Sequence, residues 1–382
     1  MSKTKIPPKI ITRLWVKAAG RCQYKGCNKL LLRDDITQAD LNAAYIAHII
    51  ADRAGGPRGD HQLSETLKSD ITNLMLMCDP HHRLIDKEDV QGHPPTLLKK
   101  MKEKHESRIE LLTSIQEERQ SAVILYGANI GQHSCPLDWK MAATAMAPEW
   151  YPAERNAIEI GLKNSTLQDH ESEYWVNERN HLKQRYNERV KQRLENGESL
   201  HFSVFAIAPQ PLLIKLGTLL SDINRVEVYQ LQKEPQTWKW QQDKSSQLEY
   251  IIHEPLTQYP TVAINLSLSG TITQDRINDV LGSDVSIWTL TIQNPNNDFL
   301  KTREQLSLFR QTFRELLNRV KAIHGQDALL HIFPACPVAI AIEIGRVRMP
   351  KVDMPYRLYD QNHILNGFSF AFDIGVEERR VV

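Results

Sequence analysis

Apolar and polar positions along the chain change rhythm three times. Up to about residue 95, short apolar runs such as Ala43–Ile46 and Leu74–Met77 are broken by glycine, proline and charged residues. This is the texture of a small unit of short elements, and Gly92-His93-Pro94-Pro95 should interrupt it. From Thr96 to about Arg119, Leu98, Met101, Ile109, Leu112 and Ile115 recur at roughly three- and four-residue steps among many charges. That spacing predicts an amphipathic helix, read here as a connection over residues 96–121. From residue 122 to 382, β-rich apolar runs alternate with helical segments, which predicts an α/β domain with largely parallel strands.

The third region also repeats a pattern. Phe202–Ala208 runs into Pro209-Gln210-Pro211 and then an apolar stretch ending at Gly217; Leu329–Phe333 runs into Pro334-Ala335-Cys336-Pro337 and a similar stretch ending at Gly345. Ahead of each lies another strand with a polar, glycine-bearing exit, Val123–Tyr126 into Asn129–Gln132 and Val262–Leu266 into Ser269–Thr271. Two α/β halves follow from this reading. In open α/β sheets ligands sit beyond the carboxyl ends of strands, where helix N-termini accept phosphates. The candidate binding positions are therefore Asn129, Gln132, Pro209, Gln210, Ser269, Thr271, Phe333, Pro334 and Ala335. Trp150, Tyr151, Trp175, Trp238 and Trp240 are better suited to the core than to stacking on bases.

Composition limits the classes available. The 382 residues are 41% hydrophobic and 24% charged, the values of an ordinary globular protein of two or three domains. No apolar run is long enough for a membrane span and Met1–Pro8 has no apolar signal core, so a cytoplasmic location with no membrane partner is expected. Three of the five cysteines stand at metal-ligand spacings, leaving only Cys135 and Cys336, so a disulfide framework is not expected. The net charge of +1 conceals a basic start: residues 1–33 hold nine Lys or Arg and no Asp or Glu, suited to lying on phosphates.

The first quarter also carries the candidate chemistry. Cys22-x4-Cys27 and Cys78-x2-His81 form two knuckles able to share one structural Zn²⁺ through three thiolates and an imidazole. Hydrolysis of a phosphodiester needs a base that works near neutral pH, and His48, after its apolar run, is the candidate. It also needs a divalent cation, Mg²⁺ or another, to neutralise charge on the phosphate and leaving oxygen; His82, opening a helix-like stretch, suits that ion. The amide oxygen of Asn73 can complete the metal shell or fix the tautomer of His48. Asp86, four residues after His82, falls on the same helix face, to bind metal or orient His82.

The order Cys-x4-Cys, Ala47-His48-Ile49-Ile50, Gly55-Gly56, Asn73-Leu74 and Cys-x2-His-His resembles the HNH endonucleases of the ββα-metal fold. The resemblance covers roughly residues 15–90. It implies an α+β module in which Cys22, Cys27, Cys78 and His81 hold zinc, His48 is the general base, Asn73 the middle residue of the signature and His82 the catalytic-metal ligand. Many members carry an acid or histidine where this chain has Ala47, so Asp86, Asp52 or Asp70 would have to compensate. A second resemblance, over about residues 122–376, rests on Leu330–Pro337 followed by Ala339–Arg346 and is to the SAVED domain, a sensor of two fused CARF-like (Rossmann-like) halves. Together they imply an effector nuclease of CBASS antiphage defence: a cyclic di- or trinucleotide binds the sensor, homo-oligomeric assembly changes, and double-stranded DNA is degraded. The rival expectations are a zinc-dependent DNA-binding regulator that does not cut, and a constitutive restriction-type nuclease.

Overall fold

The computed structural model describes residues 4–34, 36–37, 39–116, 118–133, 135, 137–162, 165–197, 201–222, 225–241, 248–362 and 364–376. The chain divides into two compact units, residues 1–116 and 117–382.

The N-terminal unit opens with α1 (Pro8–Ala18), begun by proline and closed by left-handed Ala19. A knuckle follows, pinned by a bridge between Arg21 and Leu30, and then β1 (Ala44–His48). After α2 (Leu63–Leu67) and a 3₁₀ turn at Ile71–Asn73 comes β2 (Leu74–Cys78), antiparallel to β1 with His48 opposite Leu74. Next are α3 (Asp79–Arg83), continued by a π turn at Leu84–Glu88, and α4 (Pro95–Thr113). All five β2 residues are buried, so this strand carries no alternation and forms the spine of the unit with Leu14, Ala18, Ile49, Ile85 and Leu98.

The helix expected as a connection over 96–121 belongs instead to the N-terminal unit and stops at Thr113. Its buried face holds Leu98, Lys102 and His105, while Leu112 stays exposed. His105 Nε2 lies 3.0 Å from the Ala18 carbonyl, placing a donor at the end of α1 where carbonyls lack helical partners. Lys102 pairs with Glu106, which also accepts from Gln23 at 3.1 Å. Gln23 in turn exchanges main-chain and side-chain bonds with Leu76 at 2.9 and 2.8 Å, fastening the knuckle to β2.

The C-terminal unit begins with β3 (Gln120–Gly127), α5 (Trp139–Met146), β4 (Tyr151–Pro152) and β5 (Ile158–Glu159). Then come α6 (Ser172–Tyr186), carried by a π turn into α7 (Gln192–Glu195), β6 (Phe202–Ile207), α8 (Gln210–Leu220) and β7 (Val226–Val228). The remainder is β8 (Tyr250–His253), β9 (Thr261–Ser267), α9 (Gln274–Leu281), β10 (Val285–Ile292), α10 (Arg303–His324), β11 (Leu330–Ala335), α11 (Val338–Val347), β12 (Tyr356–Asn362) and β13 (Gly367–Ile374). The first sheet runs β4-β3-β6-β7, with β5 also on β3, and is parallel throughout. The second runs β13-β12-β11-β9-β10-β8; its four middle strands are parallel and its edges antiparallel.

α8 and α11, the helices that follow the two Pro-containing exits, pack against each other at the centre of the unit. They cross at Gly217 and Gly345. A Cβ on Gly217 would lie 1.9 Å from the Ile342 carbonyl oxygen, and one on Gly345 2.0 Å from that of Ile214. The two halves therefore meet backbone to backbone through their corresponding glycines.

Candidate functional site

The knuckles bring Cys22, Cys27, Cys78 and His81 together, with all four donor atoms within 4.8 Å of one another. The Cys78 sulfur lies 3.0 Å and the Cys22 sulfur 3.7 Å from His81 Nδ1, and Cys27 and Cys78 are 4.0 Å apart. Ligands around tetrahedral zinc stand about 3.5–3.8 Å apart, given Zn–S of about 2.3 Å and Zn–N of about 2.0–2.1 Å, so this donor set fits that ion. Burial pushes the Cys22 thiol up to about 12, raises Cys78 and lowers His81. Buried thiols of this kind become thiolates when a cation stands among them. Tyr24 stacks on His81 at 4.1 Å and its hydroxyl meets His93 Nε2 at 2.9 Å, which fixes the imidazole from behind.

His48 ends β1, nearly buried, with Nε2 2.9 Å from the Lys68 carbonyl. A carbonyl only accepts, so Nε2 carries the proton and Nδ1 keeps its lone pair. Nδ1 has no hydrogen-bond partner among the described residues. His82 sits on α3, stacked on Tyr45 of β1 at 4.9 Å, with Nε2 3.3 Å from Asp86 Oδ2. Burial lowers the His82 pKa against the pull of Asp86, which favours the neutral, ligating imidazole.

Asn73 does not hold the imidazole of His48, whose Nε2 is on the Lys68 carbonyl. Its Oδ1 accepts from Ile50 N at 2.8 Å, and its Nδ2 donates to the Ile50 and Leu67 carbonyls at 2.8 and 3.2 Å. With both amide atoms bonded to main chain, Asn73 shapes the loop after His48 and makes no hydrogen bond to its imidazole. Nor does Asp70 compensate for the buried Ala47: it caps the 3₁₀ turn by accepting from Thr72. Asp52 accepts from Thr4 at 2.7 Å. Asp86 alone reaches His82.

The residue that composition did not single out is Arg58. Its side chain is 4% exposed, and it donates to the carbonyls of His48 (3.1 Å), Ile49 (2.7 Å) and Ile85 and to Asp86 Oδ1 (2.6 Å). One guanidinium thus ties the strand bearing His48 to the turn bearing Asp86. Its left-handed φ of 55° between Gly56 and Gly59 is the only local trace.

In the C-terminal unit the strand exits are braced by their own contacts. Gln210 Oε1 accepts from the Cys336 N–H and Sγ at 3.2 and 3.1 Å, joining the two Pro-containing turns. Leu268 N and Ser269 N donate to the Ala335 carbonyl, and Asn129 Nδ2 to that of Ser165. Pro209 caps α8; Gln132 lies in the turn between the bridged Ile130 and His133, and Thr271 is exposed. Phe333, Pro334 and Ala335 are not an exit, because β11 continues through them. Phe333 is fully buried, stacked on Tyr359 at 4.5 Å and edge-on to Phe368 at 5.1 Å, and Pro334 is buried too. These two are core residues.

Cations gather elsewhere, in a cavity of about 640 Å³ lined by Arg179, Lys183, Lys215, Arg348 and the rings of Trp175, Phe370 and Phe372. Arg348 is 5% exposed and its Nη2 has no partner among the described residues. The one carboxylate of the lining, Asp373, is held by both arms of Arg357 at 2.9 Å. Charged groups from α6, α8 and the turn after α11 meet here only after folding, and sequence spacing carries no sign of it.

Residues 182–374, just over half of the chain, match the SAVED family, the SMODS-associated sensor domain fused to various effectors. The chain belongs to that family, with a mixed α/β fold and a C-terminal SAVED domain. Among solved structures, the Acinetobacter baumannii Cap4 SAVED/CARF-domain containing receptor with the cyclic trinucleotide 2′3′3′-cAAA is 12% identical, with a TM-score of 0.43 over 82% of this chain and 59% of that one. The same receptor with 3′3′3′-cAAA is 13% identical, with a TM-score of 0.42 over 83% and 71%. This chain thus spans about three fifths of the first of these chains. No curated protein matches. No helix among the described residues is long and apolar enough to cross a membrane.

Proposed function

We propose that this protein is a metal-dependent DNA endonuclease, a CBASS-type antiphage effector whose N-terminal HNH module cuts double-stranded DNA once its SAVED domain binds a cyclic oligonucleotide. The observation that carries the nuclease reading is the state of His48: its Nε2 is held by the Lys68 carbonyl, leaving Nδ1 as a fixed, unpartnered base at the end of β1. In the proposed mechanism Nδ1 removes the proton from the attacking water. His82 Nε2 and Asp86 Oδ2, 3.3 Å apart, would hold the divalent ion, Mg²⁺ or another. When bound, that ion neutralises charge developing on the phosphate and the leaving oxygen. Arg58 positions Asp86 from behind and Asn73 fixes the main chain beyond His48. Cys22, Cys27, Cys78 and His81 would hold structural Zn²⁺, making the module's folding depend on metal.

Membership of the SAVED family supports the sensing half of the proposal. The Cap4 receptors named above are found with cyclic trinucleotides, and a cyclic di- or trinucleotide is proposed here as activator. Its phosphates go to the cavity of Arg179, Lys183, Lys215 and Arg348, where four cations converge. Activation changes the arrangement of subunits in a homo-oligomer. The test incubates purified protein with plasmid, Mg²⁺ and a panel of cyclic di- and trinucleotides, alongside size-exclusion chromatography. Ligand-dependent cutting is expected, and its absence across the panel overturns the proposal. His48→Ala should lower cutting by about 10²- to 10⁴-fold. Lys183→Glu should abolish activation, and activation lost instead with Gln210→Ala would move the messenger to the exits.

A further inference from the structure

Some cations of the N-terminal unit already have anions among the described residues. Glu106 takes Lys17 and Lys102, Glu65 takes Lys68, Asp79 takes Arg83 and Asp86 takes Arg58. Four do not. Lys25, on the first knuckle, faces Lys100, Lys104 and Arg108 of α4 across a groove of about 470 Å³ whose lining contains no carboxylate. All four are exposed, and the ion pairs among the described residues include none of them. Arg108 bonds only the neutral amide oxygen of Asn28, which draws its guanidinium toward the knuckle wall.

The three helix cations stand four residues apart and so share one face. At about 1.5 Å per residue they form a row roughly 12 Å long. That is the length of three to four nucleotides of one duplex strand at about 3.4 Å each. Tyr24 and Met101 contribute to the lining, and Tyr24 is the residue stacked on His81, so the groove is built onto the Cys/His cluster.

We infer that the groove between the first knuckle and α4 is a docking site for the phosphate backbone of double-stranded DNA, held by Lys25, Lys100, Lys104 and Arg108. It lies outside the proposed cutting residues and rests on reading this unit as a DNA-cutting module. Contacts of this kind set affinity and register on the duplex and carry no sequence preference.

The test uses the full chain and a fluorescent DNA duplex in magnesium-free buffer between 50 and 200 mM salt. The double variant Lys100→Glu/Lys104→Glu should weaken duplex binding at least tenfold, and Lys100→Gln/Lys104→Gln should weaken it less while lowering the salt slope by about two. Hydrolysis of bis-p-nitrophenyl phosphate, too small to reach the groove, should be unchanged in both. Duplex affinity within twofold of the parent in both variants overturns the groove even if the protein cuts DNA. Loss of duplex binding in a protein that cuts nothing keeps the groove and removes the nuclease reading. Tighter binding of an RNA duplex than of the DNA duplex overturns the assignment to DNA.

Discussion

The two units reach a folded state by different means. The C-terminal unit buries a continuous apolar cluster that runs through both sheets and their helices. The N-terminal unit has one two-stranded sheet and a small cluster around β2, and adds polar fastenings: the Cys/His cluster, the Arg58 knot, Gln23 on Leu76 and His105 on α1. Small domains expose more of their surface and need such staples. The contrast has a functional side, because in the N-terminal unit the staples themselves hold the candidate chemistry in place.

The largest test of this contrast is Cys22→Ala. If metal-assisted folding supports the small unit, its thermal transition should disappear, a loss of more than about 5 kcal/mol, while that of the C-terminal unit stays in place. Calorimetry with and without added zinc reads both; a surviving N-terminal transition would reduce the cluster to packing. Next is Arg58→Met, which removes a buried ion pair and strands three carbonyls. The expected cost is about 3–5 kcal/mol in the N-terminal unit alone, read by chemical denaturation. Gly345→Ala probes the other unit: its Cβ has no room beside the Ile214 carbonyl, so a cost of about 1–3 kcal/mol should appear only in the C-terminal transition.

The smallest effect is a dependence on pH. Burial raises the carboxyl of Glu178 to about 7, and both of its oxygens lack partners among the described residues. Burial and neighbouring Asp169 raise Asp360 to about 8. A carboxyl whose folded pKa lies above its unfolded value binds more protons when folded, so its contribution is full below the unfolded value and is lost as pH rises through the folded one. The C-terminal unit should therefore melt lower at pH 8 than at pH 5, and Glu178→Gln should flatten that slope. An unchanged slope would mean that Glu178 titrates normally.

Much of the architecture was legible in the sequence, for identifiable reasons. That Cys22, Cys27, Cys78 and His81 come together was legible because few residue types ligate metals and their spacing is constrained. Strands such as Phe202–Ile207 and Leu330–Ala335 are runs of apolar residues closed by proline. What failed did so where tertiary contacts decide. Asn73 has the same side chain whether it meets an imidazole or two carbonyls, and Phe333 sits before a turn only if the strand ends, which β11 does not. Lys102 and His105 look like solvent positions until Glu106 and the end of α1 cover them. Arg58 is one arginine among many until the chain folds around it. The cationic cavity draws on segments far apart in sequence, so no local window contains it.

The crossing of α8 and α11 restricts how the sensor can be taken apart. Each helix uses the other's main chain as its wall at the glycine, so either half expressed alone would present a trough with glycine at its base and apolar sides. Such a fragment would tend to collect a second copy of itself or to aggregate. Half-swaps between related sensors should therefore succeed only when both helices travel together, and the unit of exchange is the interlocked pair.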